Sequence, residues 1–226
     1  ALAEGLGYVP TSFTSSQAAL NLSVLVTASN RPTTITLPRG TTFSSSVDGV
    51  AYTFQTRENF VGTDDGNGTY QFLNANGETG IPVFEGTEKT KTFFVGDTTD
   101  QQIYVIPDVT MDTSTIRVRV FPTSSATTFD TYLNIVDAIR ITNESAFYQI
   151  KETPNGFYEI IFGDGISTGL APKAGNKIVI DYLSTVGSTA NGAASFSTEA
   201  VVTVNSVNFN VTTTTESISA GGSFKE

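Results

Sequence analysis

Apolar residues recur at every second position through much of this 226-residue chain. Leu20, Leu22, Val24 and Val26 fall on one side of an extended segment, with Asn21, Ser23 and Thr27 opposite. Ile35 and Leu37 sit between Thr34 and Thr36, and Tyr52 and Phe54 alternate with Thr53 and Gln55. Side chains of an extended strand point to opposite faces in turn, so this period belongs to strands with one buried face. The expected fold class is all-β, mainly antiparallel, with at most one or two short helices in a β-rich two-part core.

Turn signals bound these segments. Pro38-Arg39-Gly40 closes one, and Asp48-Gly49 reads as a tight hairpin turn, because Gly accepts the positive φ such turns need. Further on, 93–95 and 103–106 read as short strands. Ile116, Val118 and Val120 alternate with Arg117 and Arg119, predicting a half-buried strand with its charge toward water. Residues 130–140 leave two readings open: Leu133, Val136 and Arg140 have helical spacing, while the β-branched content favours a strand. Tyr158, Ile160 and Phe162 precede a Gly-rich turn. Ile178, Ile180 and Tyr182 return from it with Val179 and Leu183 on the second face, the pattern of a central strand. Two last strands are expected at 201–204 and 207–211.

The polar stretches 62–69 and 184–195 read as boundaries. They predict that 1–62 and 188–226 pack together, with 63–187 inserted as a central β domain. The first seven residues lack the basic and apolar regions of a signal peptide, and the chain has no initiator Met, so it reads as a segment of a longer protein.

Composition removes much chemistry. There is no Cys, hence no disulfide, thiolate metal site or Cys nucleophile. There is no His, which removes the commonest general base and transition-metal ligand and rules out a Ser-His-Asp triad. Twelve Lys and Arg against 22 Asp and Glu give a net charge of −10, which would repel a phosphate backbone or an anionic membrane surface. Neither nucleic acid nor membrane is an expected partner. Charged residues are 15% of the chain, with Thr, Ser, Asn and Gly filling the difference, which suits strands and turns.

The sharpest local feature is Ile161-Phe162-Gly163-Asp164-Gly165, followed by Gly169, Pro172 and Gly175. It fails as a phosphate loop. The third Gly comes one residue late, no Lys-Ser/Thr pair follows, and the chain returns as a strand. It reads instead as a structural turn set by Gly163, Asp164, Gly165, Gly169 and Gly175, with Gly165 supplying positive φ and Asp164 bonding turn amides. Asp64-Asp65-Gly66-Asn67-Gly68 lacks the ligand spacing of an EF-hand and reads as an acidic turn. Glu78, Glu85 and Glu88 would suit glycoside hydrolysis only if two of them flanked a cleft. No catalytic, cofactor or metal residue is assigned. Four N-x-Ser/Thr sequons, at Asn21, Asn67, Asn143 and Asn210, are what so Thr- and Ser-rich a chain contains by chance.

From Tyr148 to Tyr182 the chain resembles the baseplate J-like family of contractile-tailed phages. The shared stretch runs Tyr148-Gln149-Ile150-Lys151-Glu152, Gly156-Phe157-Tyr158-Glu159-Ile160-Ile161-Phe162-Gly163-Asp164-Gly165, then Pro172, Gly175, Ile178-Val179-Ile180 and Tyr182. Gly7-Tyr8, Leu37-Pro38-Arg39-Gly40-Thr41-Thr42-Phe43, Tyr52-Thr53-Phe54 and Ser219-Ala220-Gly221-Gly222 resemble the family's first β segment and its exit from the core. The resemblance implies a structural protein of the virion tail baseplate, assembled in the host cytoplasm, with no enzymatic activity and no cofactor. Its implied partners are copies of itself, as dimers and a ring, and other baseplate wedge proteins. Two rival expectations are a carbohydrate- or receptor-binding β module and a carboxylate-based hydrolase. Eight Tyr without Trp permit a sugar-stacking platform without favouring it.

Overall fold

The structure, a computed structural model, describes residues 11–96, 102–137 and 141–225. The opening Gly7-Tyr8 and part of the 130–140 segment lie outside them. The fold is all-β and nearly all pairings are antiparallel. The chain divides into two compact units, one of 14–87 with 185–224, the other of 88–184 with the described residues before 14 and beyond 224.

The first unit is built on β1 (Gln17–Leu25), the strand with the clearest alternation. Leu20, Leu22 and Val24 are fully buried, each such side chain stabilising the fold by roughly 1.5–3 kcal/mol. Around it lie β2 (Thr34–Leu37), β3 (Thr42–Val47), β4 (Val50–Gln55), β5 (Phe60–Asp64), β6 (Thr69–Leu73) and β7 (Ile81–Glu85), in the order β2-β5-β6-β1-β7-β4-β3. β1 serves three neighbours: β6 along Ser23 to Leu25, β7 along Gln17 to Leu20, and on its other edge a late strand. Phe43, Phe54, Tyr70, Phe72 and Ile81 complete the core against it.

The β3–β4 hairpin turns on Asp48 and Gly49, with φ of 50° and 81°, the left-handed pair that matches strand twist. The polar stretch 62–69 turns β5 directly into β6 within this sheet, so it is no boundary. Asp64 Oδ1 accepts from the Gly66 and Gly68 amides at 2.9 Å each, and Asp65 Oδ1 from those of Asn67 and Thr69 at 2.7 and 3.1 Å. Polarity there serves the turn's own amides rather than a linker.

The second unit contains β8 (Thr87–Phe94), β9 (Tyr104–Ile106), β10 (Met111–Phe121), β11 (Asp130–Asn134), β12 (Phe147–Glu152), β13 (Tyr158–Phe162) and β14 (Lys177–Ser184). Their order is β8-β14-β10-β11-β12-β13-β9, with β11 and β12 the parallel pair. The outer strands curl back toward each other: Phe93 of β8 meets Tyr104 of β9 edge to face at 5.4 Å. β14 has a neighbour on each side, as its two apolar faces predict. At 130–137 the structure has a strand and then one 3-10 turn, Ile135–Asp137. The β-branched residues win there because Leu133 to Asn134 find a partner strand in β12.

Arg119 is not simply turned to water. Its Nη2 lies 2.6 Å from Oδ2 of Asp181 on β14, and that carboxylate is buried and also accepts from the Thr90 hydroxyl at 2.8 Å. β8 and β14 run side by side, with Val95 N bonded to Asn176 O and Thr90 bonded to Asp181. The first and last strands of this unit therefore bring its entrance and exit together.

The chain re-enters the first unit through 184–195, which is packed rather than linker-like. A 3-10 turn spans Gly187–Ala190, and Ala190 and Ala193 belong to the core. β15 (Val201–Val204) and β16 (Val207–Ala220) follow. β16 runs nine residues past the expected end at 211, pairing along β1 from Val24↔Val211 to Gln17↔Ala220.

Candidate functional site

The turn after β13 is built from its own residues. Asp164 N donates to Thr168 O at 3.1 Å, and Gly165 N to Gly169 O at 2.9 Å. Asp164 Oδ1 accepts from the amides of Ile166, Ser167 and Thr168 at 2.9, 2.8 and 2.7 Å, while Oδ2 accepts from the Ser167 hydroxyl at 2.6 Å. The Ser167 hydroxyl and these three amides hold the Asp164 carboxyl well below the usual carboxylate range, because each stabilises the charged form.

Two glycines are required by close approach. A side chain at Gly163 would run into the Thr168 carbonyl oxygen and stand 2.6 Å from the Gly169 carbonyl carbon. Gly169 has φ of 73°, and a Cβ there would collide with the Phe147 ring and lie 2.9 Å from Ser145 O. Gly165 has φ of 70°. Gly175 belongs to a different turn, closed by Asn176 N to Lys173 O at 2.9 Å and by Gly175 N to Val95 O at 2.9 Å. The five sequence-assigned residues thus divide between two turns on the way into β14.

A cleft of about 420 Å³ lies beside the first turn, lined by Tyr104, Glu159, Phe162, Gly163, Asp164 and Pro172 among others. Phe162 packs edge to face on Tyr104 at 5.5 Å and on Tyr132 at 5.3 Å. These rings anchor the end of β13 in the core and fix the turn's base. Asp164 is engaged by the amides and the Ser167 hydroxyl of its own turn.

The three glutamates weighed for hydrolysis have different surroundings. Glu85 is 5% exposed, and its Oε2 accepts from the Thr185 hydroxyl at 2.5 Å and the Val186 amide at 3.2 Å. Burial pushes its carboxyl up, against the two hydrogen bonds. Glu78 is exposed and its carbonyl accepts from Asn74 N at 2.8 Å in a tight turn. Glu88 lies in the other compact unit. Sequence spacing missed the Glu85–Thr185 and Arg119–Asp181 pairs, because their members lie 100 and 62 positions apart and only the fold joins them.

No family model matches the chain. A curated protein does: the chain is 29% identical over 240 aligned positions to the baseplate wedge protein gp6 of Enterobacteria phage T4. The match runs through 97% of this chain and 34% of that protein, so the chain spans about a third of its relative's length. The two are distant homologues.

Proposed function

We propose that this chain is part of a structural protein of a phage tail baseplate, a wedge component without catalytic activity. The observation that carries the reading is the reach of the distant homology, through 97% of the chain and therefore through both compact units. In this reading the protein joins wedges into a ring around the tail hub, through dimers and contacts with other wedge proteins. Rearrangement of that ring is coupled to sheath contraction.

The physical logic is mechanical. Two β units with continuous cores supply rigid surfaces, and switching takes place where copies and partners meet. Gly163, Asp164, Gly165, Gly169 and Gly175 serve as structural turn residues that fix loop geometry on one of those surfaces. The shortage of acid–base groups, with no His or Cys anywhere in the chain, suits such a role. Mass spectrometry of purified virions split into heads and tails tests the assignment. Peptides of this chain are expected in the tail fraction at a fixed ratio to other baseplate proteins. Their absence from virions, or recovery from the head fraction, overturns it.

A further inference from the structure

Two buried residues of the 88–184 segment find hydrogen-bond partners outside it. Tyr158 of β13 is fully buried, and its hydroxyl donates to Thr11 O at 3.2 Å. Between Asp112 and Arg117 the register of β10 against β14 slips. Such an irregularity takes backbone groups off the ladder. Thr113 lies within it, buried, and its amide donates to Ser12 Oγ at 3.1 Å, while the two hydroxyls share a hydrogen bond of 2.9 Å. Buried donors need partners, so Thr11 and Ser12 complete the second unit rather than hang from it.

The far end of the chain comes to the same tyrosine. Lys225 Nζ lies 4.9 Å from the centre of the Tyr158 ring and 2.6 Å from Glu152 Oε1. A little inward from the two ends, Thr14 and Ser223 exchange both backbone bonds, Thr14 N to Ser223 O at 3.0 Å and Ser223 N to Thr14 O at 3.1 Å. The two ends therefore share a root at Thr14–Ser223 and a seat at Tyr158. Residues 11–13 belong to no strand, and every bond just named between these ends and 88–184 uses a side chain. Contacts of that kind open at lower cost than a strand ladder.

We propose that residues 11–13 and Lys225 form a single strap across Tyr158, a conformational device whose two halves open together while the strands they cover stay folded. The shared root couples them. Lifting Lys225 away from Glu152 loosens the pair at Thr14–Ser223, and with it the hold of Ser12 on the irregular stretch of β10. The inference is independent of the baseplate reading, since it concerns how this chain secures its own ends.

The test reads one half of the strap while the other is changed. Lys225→Met keeps an apolar cover on the Tyr158 ring and removes the charge that meets Glu152; Glu152→Gln removes the charge from the opposite side. Amide hydrogen exchange of this chain is followed by NMR at Thr113, whose amide is held by Ser12, and at Ile150 and Ile160 in β12 and β13. Both variants are expected to speed exchange at Thr113 about two- to fivefold, the range of a partly exposed ion pair, and to leave Ile150 and Ile160 unchanged. Raising salt to about 1 M should move the parent protein the same way, because the pair is screened. Unchanged exchange at Thr113 in both variants would mean that the two ends are fastened separately. A rise at Thr113 matched at Ile150 and Ile160 would mean that the ends open only with the whole unit. Either result overturns the inference.

Discussion

Gly169 and Gly175 share a left-handed backbone but have different neighbours. Gly169 faces the Phe147 ring, whereas a Cβ at Gly175 would meet open space. Gly175→Ala is therefore expected to cost about 1–2 kcal/mol, the left-handed term alone. Gly169→Ala adds overpacking and is expected to cost about 2–5 kcal/mol in total. Urea denaturation of the two variants checks the difference. Gly165→Val should also lower the melting temperature, since a β-branched residue adopts positive φ poorly. Glu85 gives a pH signature. Its carboxyl is raised in the folded state, so its contribution is fully present below the unfolded value and is lost as pH rises through the folded one. Glu85→Gln keeps an oxygen for Thr185 and Val186 but carries no charge. The variant's stability relative to the parent should rise from about pH 4 toward pH 8, measured as melting temperature across that range.

At the scale of elements, β16 invites a second test. Thr213 Oγ1 is buried without a hydrogen-bond partner among the described residues. Thr213→Val keeps the branched shape and removes the unsatisfied hydroxyl, so it should stabilise by about 1 kcal/mol in denaturant titration. Ser206, at φ of 66° in the β15–β16 turn, should accept Gly with a gain of similar size. The same strand shows where sequence reading stopped. Val207, Phe209 and Val211 alternate visibly, but Thr212 to Thr215 carry no apolar contrast. What makes them a strand is register against β1, a contact some 190 positions away that periodicity does not encode. β1 itself, the Asp48-Gly49 hairpin and the Asp164 turn were legible because each is specified by neighbouring residues. β5, β6 and β7 were not. Their one-sided alternation is short, and the acidic turn between β5 and β6 has the composition of a linker. At the candidate site the glycines and Asp164 were readable from turn chemistry, whereas the exposure of Ile166 depends on what the folded sheet leaves uncovered.

For the whole molecule, the division at 88 and 184 suggests two separately folding units. β8 and β14 are neighbours, so the 88–184 segment begins and ends at one place, as an inserted domain must. Residues 88–184 expressed alone should fold, giving a cooperative thermal transition and dispersed amide resonances. A fragment without a transition would mean that the two units depend on each other. Assembly is the larger question, because the proposed role rests on surfaces that meet partners. The most direct measurement is electron microscopy of the full-length protein co-expressed with the other baseplate proteins. Wedges or closed rings containing it are the expected result, whereas a protein that stays monomeric beside assembled baseplates would contradict the account.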